Sequence, residues 1–284
     1  MDNAPPKPTP SIEGPGPDLG HGPTVPSRPA AAETDASAER FSRLELLLGR
    51  EGVRKLRGAS VVVAGLGAVG SYAVEGLARA GIGRLRLVDF DVIRRSNINR
   101  QLYALESTLG RRKVEVAAAR VKDIHPECVV ESWPLFIGPE NVETVLDGNP
   151  DALVDAIDSL SPKIHLLSTA ARSNIFIVSS MGAATRTDPF ALRVGDLSET
   201  RECPLARLLR KRLARQGIRS GIRCVYSIEP ARPSAGAPMS EPLALDMRRG
   251  RPRTSLGSLP MLTGMFGLLV AHEVVRGLLG RLNS

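Results

Sequence analysis

Three cysteines in 284 residues, Cys128, Cys203 and Cys224, are too few and too widely spaced for a disulfide framework or a paired CxxC metal clip. That scarcity points to a reducing, cytoplasmic setting. Aromatic residues are equally sparse, at 4% of the chain, which leaves little stacking surface for nucleic-acid bases. The longest uncharged apolar run, 259–271, falls short of the roughly 18 to 20 residues that a spanning helix needs. His272, Glu273 and Arg276 follow on its flank. No membrane span is expected. The start of the chain lacks the basic residues and apolar core of a secretory signal. Residues 1–29 hold nine of the 22 prolines and few large apolar side chains, so the arm 1–38 is expected to be disordered.

A hydrophobic content of 42% is ample for a core without staples. The formal charge is +8, from 38 basic and 30 acidic residues, and it is not evenly spread. Residues 39–200 carry 21 basic and 20 acidic residues, whereas 201–253 carry 13 and 4, a net +9. One local block therefore holds the excess.

From Arg40 onward the pattern is that of a folded chain. Phe41, Leu44, Leu47 and Leu48 recur at helical spacing, Gly49 ends that turn, and Val53 and Leu56 seed a second short helix. Strand and helix signals then alternate: strand 61–64, helix 71–80, strand 84–89, helix 113–124, strand 129–134, helix 140–146, strand 152–156, helix 161–173 and strand 175–180. Alternation with apolar strands predicts an α/β, Rossmann-like, largely parallel sheet with helices on both faces. The segment 201–284 is expected to pack on this core as a basic amphipathic helix opening at Pro204, a long mobile loop 229–257 and a closing apolar helix 262–279.

Gly65-Leu66-Gly67-Ala68-Val69-Gly70 lies between a strand and a helix, and Asp89 ends the next strand. Glycines there let backbone approach phosphate, the helix N-terminus offers free N–H groups, and Asp89 can accept ribose hydroxyls. A nicotinamide cofactor would use the same parts. Asn97, Asn99, Arg100 and Gln101 follow the second strand, and Lys113 opens the next helix. Two fixed cations beside phosphates have little use in hydride transfer, but displacement at phosphorus needs them to meet growing negative charge. The alternative is that Arg100 and Lys113 are solvated surface charges. Asp158, just past the fourth strand, can hold Mg²⁺ together with phosphate oxygens, or can cap the helix that follows. Asp155 caps the strand end or supports Asp158.

The segments RFSR, GLGAVGS, LVDFD, NINRQ, GRRKVE, DIHPE and DAIDS resemble the nucleotide-binding core of the ubiquitin-activating-enzyme-like (ThiF/MoeB) superfamily, which adenylates carboxylates. SSMGAATRTDP and CPLARLLRKRLARQGI are similar to its tRNA threonylcarbamoyladenosine dehydratase branch. The resemblance spans about 39–229 and the closing helix. It implies an ATP-dependent cyclisation of threonylcarbamoyladenosine in tRNA on a homodimer, with 39–200 as the ATP-binding adenylation core. Gly65, Gly67 and Gly70 would cradle the phosphates, Asp89 and Asp91 of LVDFD and Gln101 would line the nucleotide, and Asn97, Arg100 and Lys113 would grip the triphosphate. Asp158 would place Mg²⁺. Arg43 matches an arginine that reaches the partner subunit's ATP in sulfur-carrier-activating relatives, and Ala68 replaces the glycine usual at the fourth loop position.

Two rivals remain at this point. An adenylyltransferase for a ubiquitin-like sulfur carrier is disfavoured by the missing CxxC pairs, and an NAD(P)-binding oxidoreductase by Arg100 and Lys113. Accessory proteins of the sulfur-transfer type are not legible in the sequence.

The basic helix carries Arg207, Arg210, Lys211, Arg212 and Arg215, with Arg219 and Arg223 beyond it. These are expected to meet tRNA phosphates without reading sequence. A solvated face or an acidic membrane surface are the alternatives. Cys203 reads as a helix cap, with a redox or covalent role as its rival, and Cys128 and Cys224 read as core. His125, His165 and His272 fall within predicted helices at no metal spacing.

Overall fold

Short runs rich in β-branched residues make the strands. In the computed structural model, which describes residues 39–230 and 256–280, these are β1 (Ser60–Ala64), β2 (Arg84–Val88), β3 (Val129–Trp133), β4 (Ala152–Asp155), β5 (Phe176–Ser180), β6 (Leu192–Asp196) and β7 (Arg223–Ser227). The expected arm 1–38 and most of the expected loop, 231–255, lie outside the described residues. The strands form one sheet in the order β3-β2-β1-β4-β5-β7-β6, parallel throughout except for the β6–β7 pair.

Side chains on a strand alternate between faces, and β1 supplies both cores from successive residues. Val61 and Val63 enter the core that also takes residues of α2 (Gly70–Arg79), α3 (Lys113–Ile124) and α7 (Pro260–Leu278). Val62 and Ala64 enter the one that takes residues of α4 (Val142–Val145), α5 (Leu160–Arg172) and α6 (Pro204–Ala214). The preceding helix α1 (Ser42–Gly58) kinks at Gly49, whose φ of 72° only glycine adopts without strain. The expected break at that residue is therefore present.

Three elements differ from expectation. The helix expected over 140–146 is a single turn, Val142–Val145. β6 was not anticipated: it is an edge strand with Arg193 exposed and Gly195 inside it, a pattern that carries no strand signal. The uncharged run 259–271 is too short to span a membrane, but the closing helix that holds it, expected over 262–279, runs for 19 residues from Pro260 to Leu278 and passes that test by length and composition. Its setting is nevertheless a core. Phe266, Val270 and Val274 are fully buried, and half of the apolar window is covered by protein.

What lets α7 lie so close is a set of small residues. A Cβ on Gly267 would overlap the Val69 carbonyl oxygen and come 2.7 Å from Tyr72 Cβ, and one on Gly76 would stand 2.8 Å from Ala271 Cβ. α7 therefore rests on α2 and on the loop that leads into it.

β1 has β2 on one side and β4 on the other. Chain order reverses there, and in open parallel sheets the crevice at the carboxyl end of such a pair is where ligands bind.

Candidate active site

The chain leaves β1 through the glycine loop at that crevice, and its three glycines do different work. Gly65 has φ of 88°, and a Cβ on it would stand 2.8 Å from the Ala156 carbonyl oxygen. A Cβ on Gly70 would overlap the Gly65 carbonyl oxygen. Both are packing glycines. At Gly67 nothing lies nearer than Gln101 Nε2 at 3.8 Å, so the middle glycine opens onto free space. No side chain caps the α2 N-terminus behind it, which leaves backbone N–H groups for an anion. This open cradle, which a side chain would fill, fits a nucleotide phosphate.

Asp89 stitches the loop to the end of β2. Its Oδ2 accepts from Leu66 N at 2.7 Å and its Oδ1 from Asp91 N at 2.9 Å. A carboxylate has about four acceptor positions, so capacity remains for ribose hydroxyls. Asp91 holds Lys113: the ammonium lies 3.0 Å from Asp91 Oδ2, and Lys113 N donates to the Asp91 carbonyl at 3.1 Å. Asp91 is thus the partner of a cation.

The next segment forms a tight turn. Arg100 N and Gln101 N both donate to the Asn97 carbonyl, and Asn97 Oδ1 accepts from Arg94 N at 3.1 Å. Leu102 N donates to Ser71 Oγ at 3.2 Å, tying the turn to α2. The Arg100 guanidinium bonds the Ser96 carbonyl and Asn99 Oδ1, each at 2.9 Å. Both acceptors are neutral, and among the described residues no ion pair offsets its charge. Asn97, Arg100, Gln101 and Lys113 thus share one edge with the glycine loop.

Asp158 is exposed just past β4, where Ser159 Oγ donates to its Oδ1 at 3.5 Å. The N-cap position of α5 is Ser159, not Asp158, and no side chain makes the capping bond. Arg43 lies elsewhere. It is exposed on α1 beside Phe41, whose ring meets His125 at the far end of α3, 5.0 Å between centroids. That is the amino edge of the sheet, so Arg43 does not join the site of its own chain.

Sequence reasoning missed Lys163. It is wholly buried and pairs with Asp155, also wholly buried, at 2.7 Å. The only signal was a lysine set among apolar residues of a helix, a position seldom occupied without a partner.

The basic helix begins at the same edge, where Cys203 Sγ would sit 3.6 Å from a Cβ on Gly182, just past β5. Cys203 caps that helix by accepting from Ala206 N at 3.5 Å. Burial pushes the Cys128 thiol up to about 12 and raises that of Cys224 further, so neither forms the thiolate that cysteine chemistry needs. Arg207, Lys211, Arg212 and Arg215 are exposed. Two of the expected phosphate ligands are otherwise engaged. Arg210 turns back onto Thr200, hydrogen-bonding its hydroxyl and, at 2.8 Å, its carbonyl. Arg223 pairs with the buried Glu273 of α7 at 2.8 Å.

The sequence profile of the ThiF family matches residues 41–284. A tRNA threonylcarbamoyladenosine dehydratase of Bacillus subtilis is 43% identical over 189 residues, 66% of this chain and 74% of the relative. The Escherichia coli enzyme of that name is 33% identical over 262 residues, 87% of this chain and 96% of the relative. Crystal structures of E. coli tRNA N6-threonylcarbamoyladenosine dehydratase, TcdA, in complex with AMP and with ATP superpose with TM-scores of 0.78 and 0.77 at 32% identity, each covering 88% of this chain and 98% of the other. The chain belongs to the ThiF family, in its tRNA threonylcarbamoyladenosine dehydratase branch.

Proposed function

We propose that this protein uses ATP to activate the threonyl carboxylate of threonylcarbamoyladenosine in tRNA and closes it into a ring. The observation that carries the reading is the open cradle at Gly67 beside two cations, Lys113 held by Asp91 and Arg100 offset by no acid among the described residues. The Gly67 cradle and the α2 N-terminus receive the phosphates, Asp89 the ribose. The substrate carboxylate attacks the α-phosphorus and pyrophosphate leaves, while Arg100 and Lys113 meet the charge that grows on the phosphate oxygens. Such preorganised donors each contribute about 10²- to 10³-fold.

The carbamoyl group of the same side chain then attacks the activated carbonyl and AMP departs with one carboxylate oxygen. The nucleoside has lost one water. Nucleophile and electrophile share one side chain, so proximity does much of the remaining work.

Mg²⁺ is part of the proposal. Among the described residues no three His, Cys, Asp or Glu converge on a cage, and an ion that takes one or two carboxylates plus phosphate oxygens needs none. Asp158 would hold it, and the ion would supply further neutralisation of the phosphates. We assign residues 39–200 to adenylation and 201–284 to holding tRNA and completing the core. Arg207, Lys211, Arg212 and Arg215 would face tRNA phosphates. A homodimer is supported by the exposed apolar side chains Leu46 and Leu47 on α1 and Met261, Met265 and Leu268 on α7, and would bring Arg43 to the other copy's site. Three free cysteines support a cytoplasmic setting.

Incubation with ATP, Mg²⁺ and tRNA carrying the modified base, followed by digestion and mass measurement, is expected to show loss of one water. An unchanged nucleoside beside an active control enzyme, or stabilisation by NAD and not by ATP, overturns the reading.

A further inference from the structure

Lys163 has no part in the chemistry above, yet it is among the largest wholly buried side chains of the described residues. Its ammonium has three partners: Asp155 Oδ2 at 2.7 Å, the Ser180 carbonyl at 2.9 Å and the Ile157 carbonyl at 3.1 Å. Those use all three of its donors. Asp155 in turn accepts from Ile157 N at 3.2 Å and from Ser179 Oγ at 2.6 Å. Residue 157 is therefore gripped twice, its N–H by Asp155 and its carbonyl by Lys163. On one side of it stands Ala156, whose carbonyl oxygen closes on Gly65 of the phosphate loop. On the other stands Asp158.

A buried ion pair is a poor source of stability, because desolvation offsets most of the attraction, and apolar residues of like volume often serve as well. What it does give is fixed geometry. We propose that Lys163 is a positioning residue for the nucleotide site. Acting through the Ile157 and Ser180 carbonyls, it locks the segment 156–158 between the ends of β4 and β5, so that the phosphate loop and the Asp158 carboxylate keep their places. The proposal rests on the ATP reading above.

The test compares Lys163→Met with the double variant Asp155→Asn/Lys163→Met. The single change strands a buried carboxylate and is expected to lower the melting midpoint. The double removes both charges and is expected to restore it. If Lys163 positions the site, the double variant still binds ATP·Mg²⁺ about 10- to 100-fold more weakly, the range seen when residues that orient metal ligands are removed. Amide hydrogen exchange at 156–159 stays faster than in the parent, and KM for ATP rises more than kcat falls.

Recovery of affinity and exchange together with stability overturns the proposal, since the pair would then merely balance two charges. Where the Met variants do not fold, Ser179→Ala keeps both charges but loosens Asp155. It is expected to speed exchange at 156–159 and weaken ATP·Mg²⁺ binding, and parental values for both would likewise overturn it. A parent protein that binds no ATP·Mg²⁺ refutes the nucleotide reading and this proposal together, whereas parental binding matched by the variants refutes only the latter.

Discussion

Gly67 and Gly70, on the same loop, face opposite demands, and substituting each separates them. Gly70→Ala drives a methyl into the Gly65 carbonyl, an overpacking expected to cost about 1–3 kcal/mol and to be read as a lowered melting midpoint. Gly67→Ala points its methyl into empty space, so stability is expected to stay within about 0.5 kcal/mol. The stabilisation that ATP confers is expected to shrink sharply in that variant; an unchanged ATP shift would place the phosphates elsewhere. The glycines and Lys113 were legible in the sequence because each sits at a strand or helix boundary, where spacing fixes its edge of the sheet, and Arg100 because it stands among the amides Asn97, Asn99 and Gln101 that follow the second strand. Lys163 was not. Its partners come from the ends of β4 and β5, and their convergence is a property of strand order rather than of local pattern.

Among the elements, α6 shows how a count of charges overstates a surface. Arg207, Lys211, Arg212 and Arg215 are exposed, whereas Arg210 is tied to Thr200 and Arg223 to Glu273. Neutralising the exposed four is expected to flatten the dependence of tRNA affinity on salt, the logarithmic slope falling by about 0.7 to 0.9 for each phosphate left without its cation. Arg210→Gln is expected instead to cost about 1–3 kcal/mol of stability through the polar groups of Thr200 left unpaired, read as a lowered melting midpoint, and to leave that slope alone. Filter binding over a salt series with parallel melting curves distinguishes the two outcomes. The helix itself was readable from its leucine stripe, but the hydroxyl and carbonyl that claim Arg210 belong to Thr200, ten residues earlier, which no periodicity marks. β6 escaped for a related reason, since an edge strand with an exposed arginine and a glycine inside lacks the continuous apolar run that betrayed β1 and β4.

At the scale of the whole molecule, alternation of strand and helix was enough to foresee the parallel sheet, while the antiparallel edge had to be seen. Stability has a titratable hinge where α1 meets the end of α3. Burial, helped by the nearby Arg57 and Arg40 and opposed by Glu127, lowers the His125 pKa below its ordinary value. The unfolded chain then binds the extra proton first, so this contribution is present above about pH 6.5 and is lost as pH falls through the lower folded value. His125→Gln is expected to make the fall in melting midpoint between about pH 7.5 and about pH 5.5 shallower, and an equal slope would refute it. The seat of α7 on Val69 and Tyr72 has a different bearing, on the order in which the protein is made. The glycine loop follows the first strand, yet the helix that supports its backbone comes in chain order after every other described element of the sheet and its covering helices. Until it docks, Tyr72 and the Val69 carbonyl lack that cover, and the glycine loop is expected to be without its backing. ATP binding is thereby expected to require that α7 has been made and has docked.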